Sequence, residues 1–115
     1  MNLKVDTRSV GEGIAVIALT GEADVYTSPR VKQVIGELLD QGARLVVINL
    51  EDVEFLDSTA LGSLLWSLRR ARERDAGFRL VCSKRRILRV LEMTGLARIF
   101  EVHPSDAAAL EAAPV

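Results

Sequence analysis

Several ingredients of common chemistries are scarce in this 115-residue chain, and each scarcity removes a class of protein. A single cysteine, Cys82, rules out an intrachain disulfide, and a reducing compartment is its simplest setting. A single histidine, His103, lies in the C-terminal part, so a Ser–His catalytic pair can arise only through folding. No glycine-rich loop of the kind that cradles phosphates is present. Aromatic residues make up 4% of the chain, so the core must be aliphatic. Neither sign of charge prevails: 15 Lys and Arg stand against 16 Asp and Glu, and without a global positive field direct nucleic-acid binding is not expected. No apolar run reaches the ~18 residues of a membrane span. The opening MNLKVDTRSV carries charges where a signal peptide needs an apolar stretch. The expectation is a soluble cytoplasmic domain over residues 1–115, with no membrane partner, no cofactor and no bound metal.

What is present is an alternation of apolar runs. Residues 2–8 alternate weakly and predict an edge strand; VGEG is a turn signal; IAVIALTG (14–21) is β-branched and apolar, a second strand in a hairpin with the first. TSPR opens a helix with Ser28 as cap and Pro29 at the first helical position, and DQG ends it. RLVVINL (44–50) is almost continuously apolar, the pattern of a strand covered on both faces. In STALGSLLWSLRRARERD, Leu61, Leu64, Leu65 and Leu68 recur at i, i+3, i+4 and i+7, the period of an amphipathic helix, and Gly77 is placed to end it. FRLVC (78–82) is the next strand, Ser83 caps a helix through about Thr94, RIFEV (98–102) is a short last strand and SDAAALEAA a closing helix. The order β-β-α-β-α-β-α-β-α implies an α/β fold with parallel pairings, made a mixed sheet of four to five strands by the hairpin, with about four helices.

Three short polar groups, Asp57, Ser58 and Thr59, stand where an apolar run gives way to the second helix, although a helix needs only one cap. Either Ser58 is that cap, or Asp57 is and Ser58 is left free in the first turn. A helix start after a parallel strand lies at the carboxyl edge of the sheet, where α/β folds place their sites. A phosphate on Ser58 would meet backbone N–H groups and the positive end of the helix dipole. It would leave the helix intact and put about two negative charges on a presented surface.

Other polar groups carry blander readings. Glu51, Asp52, Glu54 and Asp57 make an acidic loop without the ligand spacing or glycine of a calcium site. Glu22 and Asp24 follow a strand, as the acidic pair of a receiver domain does, but no lysine follows the last strand and a hairpin start does not fit a receiver. Arg69, Arg70, Arg72, Arg74, Arg79, Lys84, Arg85, Arg86 and Arg89 read as solvated faces, and arginines near a helix C-terminus complement its dipole. Trp66 belongs at the edge of the core, Cys82 is a small buried apolar group and His103 a surface residue beside Pro104.

Taken in order, LTGEADVYTSPRV, LVVINLEDVEFLDSTALGSLL and RILRVLEMTGLARIFEVHPSDAAAL resemble the bacterial anti-sigma-factor antagonists, the single-domain STAS proteins. The resemblance covers nearly the whole chain and is most specific in FLDSTALG. It implies a mixed sheet with helices mostly on one side, and a partner-switching role. Members bind an anti-sigma factor that is also a serine kinase of the histidine-kinase-like ATPase type, which frees a sigma factor for RNA polymerase. The kinase phosphorylates the serine after the motif's Asp and so ejects the antagonist; a PP2C-type phosphatase restores it. The matching serine here is Ser58, with Thr59 a neighbouring hydroxyl. Partner contacts are implied at Asp57, Ser58, Thr59, Ala60 and Gly62, with Glu22, Asp24, Thr27 and Ser28 in a loop at the same sheet edge. The chain departs from the family in reading DSTALG where DSTGLG is common; alanine is the better helix former, so the fold tolerates Ala60. Two other readings compete: a STAS scaffold of another signalling or transport complex, and a small serine hydrolase, which requires a histidine near Ser58.

Overall fold

The computed structural model describes residues 2–112. β1 (Leu3–Gly11) and β2 (Ile14–Ala23) form the expected antiparallel hairpin, turning through Glu12 and Gly13, whose φ of 74° suits glycine. β3 (Leu45–Leu56), β4 (Gly77–Val81) and β5 (Glu101–His103) then add in parallel, so the five strands lie in chain order with β1 and β5 at the edges. Between and after them come α1 (Ser28–Asp40), α2 (Ser58–Glu73), α3 (Arg85–Met93) and α4 (Asp106–Glu111).

Strand parity divides the core in two. Val46, Ile48 and Leu50 of β3 join Val31, Ile35 and Leu39 of α1, Leu61, Leu64 and Leu68 of α2, and Ile87 and Leu91 of α3. On the opposite face Val16, Val47 and Val81 lie beneath Ala109 of α4. RLVVINL is therefore covered on both faces, with three helices on one side and a single short helix on the other. Beyond Val16 this face of the hairpin turns polar toward the start of β1: Lys4 pairs with Thr20 and Asp6 with Ala18, and Arg8 reaches Asp106 at 3.1 Å.

The sequence boundaries shift where local geometry overrides pattern. β3 does not stop at Leu50. The expected acidic loop is a strand extension that pairs Asp52 with Thr20, Val53 with Gly21, Phe55 with Glu22 and Leu56 with Ala23. Two register shifts each place one extra residue in β3, so the buried Leu50, Val53 and Leu56 recur every third residue and hide the strand period. Ser28 is not a cap: Thr27 holds that position, Ser28 is the first helical residue ahead of Pro29, and the Ser28 hydroxyl donates to the Asp24 carbonyl at 2.6 Å. Nor is Ser83, because Lys84 precedes α3 and the Ser83 hydroxyl donates to Glu51 at 2.8 Å. Gly77 opens β4 rather than ending α2; the left-handed residue there is Asp75, and a Cβ on Gly77 would lie 2.9 Å from Leu45 Cδ1. RIFEV begins in a 3-10 turn (Leu96–Arg98) that turns Phe100 inward onto Phe78, ring centroids 6.1 Å apart, which delays β5 to Glu101. The closing helix begins as expected, capped by Ser105; Ala113 of the expected span lies outside the described residues.

Arg79 corrects the reading of a wholly solvated basic stretch. It sits in β4 beneath α4 with its side chain 3% exposed. Its Nε lies 2.6 Å from Glu101, its register partner on β5, and its Nη1 donates to the carbonyl of Ala109 at 2.7 Å. A cation at the C-terminal end of α4 is where the helix dipole favours one.

Candidate functional site

β2 and β3 end side by side, and the chain leaves them for α1 and α2. One carboxylate joins the two exits. Asp57 has the extended backbone of an N-cap, and its own N–H donates to Ala23 O at 3.1 Å. Oδ1 accepts from the amide of Ala60 at 2.9 Å, and Oδ2 accepts from the amide of Val25 at 3.1 Å. Asp57 thus caps α2 and latches the β2–α1 loop at once. With the capping duty filled, Ser58 is the first helical residue; its hydroxyl and that of Thr59 are exposed and hydrogen-bonded to nothing among the described residues.

The β2–α1 loop is built around Asp24. Its Oδ1 accepts from the amides of Tyr26 and Thr27, each at 3.0 Å, and from the Thr27 hydroxyl at 3.1 Å. Burial opposes ionisation of this carboxyl, but the bonds from Thr27 and Tyr26 outweigh it and hold the group below the ordinary carboxylate range. Thr27 and Ser28 are buried and Asp24 is half-buried, so these three shape the loop rather than present themselves. The winding turns Val25 and Tyr26 outward, 52% and 79% exposed, and Phe55, paired with Glu22 near the end of β3, is 52% exposed. These three apolar side chains at the Ser58 edge escaped the sequence reading. Their signal was available: large apolar residues set between polar ones at the carboxyl edge of a sheet, where exposure marks an interaction site.

Along α2 the residues divide by face. Ala60 is buried, so the methyl by which DSTALG departs from DSTGLG points into the core and not toward a partner. Gly62 is exposed, and a Cβ there would meet nothing within 4 Å, so no contact of this chain calls for glycine at that position. One turn further lies Trp66, 38% exposed, with Lys32 Nζ 4.7 Å from its ring centroid. Ser58, Gly62 and Trp66 therefore form an open stripe along α2; Glu22, Asp52 and Glu54 near the ends of β2 and β3 are exposed as well.

The other candidate chemistries are not assembled. His103 Nε2 is 2.6 Å from Glu101 on the edge strand β5, and β4 lies between that strand and the one leading into Ser58. Among the described residues no group of three or more His, Cys, Asp and Glu is placed to hold a metal ion, and no helix is long and apolar enough to cross a membrane. Cys82 is buried, and burial pushes its thiol pKa up.

Comparison with known proteins gives the family and the fold. The STAS domain family model matches residues 7–109. An anti-sigma-B factor antagonist of Staphylococcus aureus is 32% identical over 103 residues, spanning 90% of this chain and 94% of the relative. The crystal structure of an anti-sigma factor antagonist from Mycobacterium paratuberculosis superimposes with a TM-score of 0.86 at 28% identity, over 95% of this chain and 92% of that one. The Bacillus cell fate determinant SpoIIAA in its phosphorylated form shares the fold, with a TM-score of 0.74 at 22% identity over 94% of this chain and 97% of that one. The chain belongs to the STAS-domain family, among the anti-sigma factor antagonists.

Proposed function

We propose that this protein is a cytoplasmic, non-enzymatic regulator that binds an anti-sigma factor through the edge carrying Ser58 and so releases a sigma factor. The partner is a serine kinase of the histidine-kinase-like ATPase type; it phosphorylates Ser58 to end the contact, and a PP2C-type phosphatase reverses the modification. The observation that carries this reading is the division of labour at α2: Asp57 caps the helix, which leaves the Ser58 hydroxyl exposed and without structural duty. A phosphate there costs the fold little, because a helix N-terminus favours negative charge. Against a partner the same dianion is expensive. The apolar side chains of Val25, Tyr26 and Phe55 suit a contact that excludes water, and an unmatched charge buried in such a contact costs several kcal/mol. About 2.7 kcal/mol is enough to weaken binding 100-fold. The SpoIIAA protein of the same fold, determined in a phosphorylated form, supports phosphorylation as the switch.

Titration calorimetry against the anti-sigma kinase of the source organism tests the proposal. Ser58→Ala should bind as the wild type does and resist release by ATP, whereas Ser58→Asp should bind about 100-fold more weakly. Equal affinities for the two variants would overturn it.

A further inference from the structure

α3 presents a face that the contact around Ser58 leaves unused. Ile87 and Leu91 are buried, while Arg85, Arg86, Arg89 and Met93 point outward, Met93 with 81% of its surface exposed. With Val90 these residues line an open groove of about 400 Å³. Lys84 adds a further cation just before the helix. Four arginines elsewhere in the fold have carboxylate partners: Arg8 meets Asp106, Arg70 and Arg74 meet Asp40, and Arg79 meets Glu101. Among the described residues Lys84, Arg85, Arg86 and Arg89 form no ion pair. What sets them apart is their density: four exposed cations fall within residues 84–89, against the single exposed carboxylate of Glu92 on α3, in a chain of net charge −1.

Its position matters as much as its sign. β3 and β4 are parallel neighbours, so α2 and α3 leave the same edge of the sheet. A cleft lined by Val53, Glu54, Lys84, Arg86 and Ile87 joins the two exits, and Arg86 Nη1 donates to the Glu54 carbonyl at 3.3 Å. The edge is therefore bipolar, with Glu22 and Asp57 at the exits of β2 and β3, the cations over α3, and Glu54 in the cleft between them.

We propose that α3 is the cationic half of the docking surface and that the anti-sigma partner meets it with an acidic strip, an apolar side chain of the partner seating against Met93 and Val90. This rests on the reading of Ser58 given above. A bipolar surface admits its complement in one register only, and charges of this kind accelerate encounter more than they slow dissociation. The phosphate on Ser58 adds to the acidic half. The arginines do not neutralise it, because in the complex they are engaged by the partner.

The test is stopped-flow association with the anti-sigma kinase at about 0.05 M and about 0.5 M salt, where the Debye length falls several-fold. Wild type is compared with Arg86→Glu/Arg89→Glu and with the milder Arg86→Gln/Arg89→Gln, each first shown to melt as the wild type does. The charge reversal should lower the association rate at least about tenfold at low salt, with dissociation changed less than about threefold and the difference narrowing at high salt. The glutamine pair should fall between. A reversed variant that associates at the wild-type rate, while Ser58→Asp still weakens binding about 100-fold, overturns this inference and leaves the function standing; a wild-type chain that does not bind overturns both. Unchanged association together with arginine-dependent binding to phosphatidylglycerol vesicles or duplex DNA also overturns it, and assigns α3 to an anionic surface of another kind.

Discussion

Replacing Asp57 separates its two tasks. Asp57→Ala removes the acceptor for the Ala60 amide and the acceptor for the Val25 amide together. Loss of an N-cap costs about 1 kcal/mol, and loss of a second hydrogen bond to a partly solvated amide about another 1 kcal/mol. With an unfolding entropy near 2.1 cal/mol/K per residue, a chain of this length changes Tm by about 4 °C per kcal/mol, so the variant should melt about 8 °C lower. Asp57→Asn keeps one acceptor oxygen for Ala60, and asparagine caps as well as aspartate does. Its amide nitrogen cannot accept from Val25, so it should lose about 4 °C. Melting followed by far-UV circular dichroism gives the ordering, and hydrogen exchange at Val25 and Ala60 gives its cause. Exchange should quicken at Val25 in both variants but at Ala60 only in the alanine variant. Identical melting of the two, or unchanged exchange at Val25 in both, would refute the account of one carboxylate serving two elements.

Gly62→Ala should raise Tm by about 4 °C, since alanine gains about 1 kcal/mol over glycine in a helix and its methyl meets nothing here, yet weaken kinase binding at least about tenfold if the partner's backbone approaches at that point; calorimetry beside a melting curve reads both. Cys82 should resist iodoacetamide at mildly alkaline pH in the folded protein and react quickly in denaturant, because burial keeps its thiol protonated; intact mass before and after unfolding checks this. Asp24 has a folded pKa below its unfolded value of 3.8, so its stabilisation is complete above that value and is lost as pH falls through the folded pKa. Melting temperatures measured from neutral pH down to about 3 should therefore fall less for Asp24→Asn than for wild type over the last part of that range.

Much of this was legible from periodicity. The hairpin, the parallel strands, the Leu61 to Leu68 stripe and the double covering of RLVVINL all follow from residues whose burial depends on local repeat alone. What escaped depends on longer-range geometry. The bulges of β3 convert a two-residue period into a three-residue one, so a strand extension looked like a loop. The caps of α1 and α3 moved by a residue because the hydroxyls of Ser28 and Ser83 found partners in the β2–α1 loop and on β3. Arg79 looked like its neighbours in sequence and differs from them only because α4 closes over it. At the site, the pairing of DST with a helix start was visible, and so was the choice between Ser58 and Asp57 as cap. The outward turn of Val25 and Tyr26 was not, since it depends on how Asp24 winds its own loop.

The strands lie in the order in which they are synthesised, each added beside the one before it, so the sheet can grow on the ribosome without waiting for a later segment to insert. One face, under α1, α2 and α3, is finished along the way. The other stays bare, with Val16, Val47, Val81 and the guanidinium of Arg79 uncovered, until α4 emerges and supplies Ala109 and its carbonyl. The shortest helix thus acts as a latch on maturation. A nascent chain lacking it would offer chaperones and proteases an apolar patch around a charge, while the surface around Ser58, built from earlier segments, was already complete.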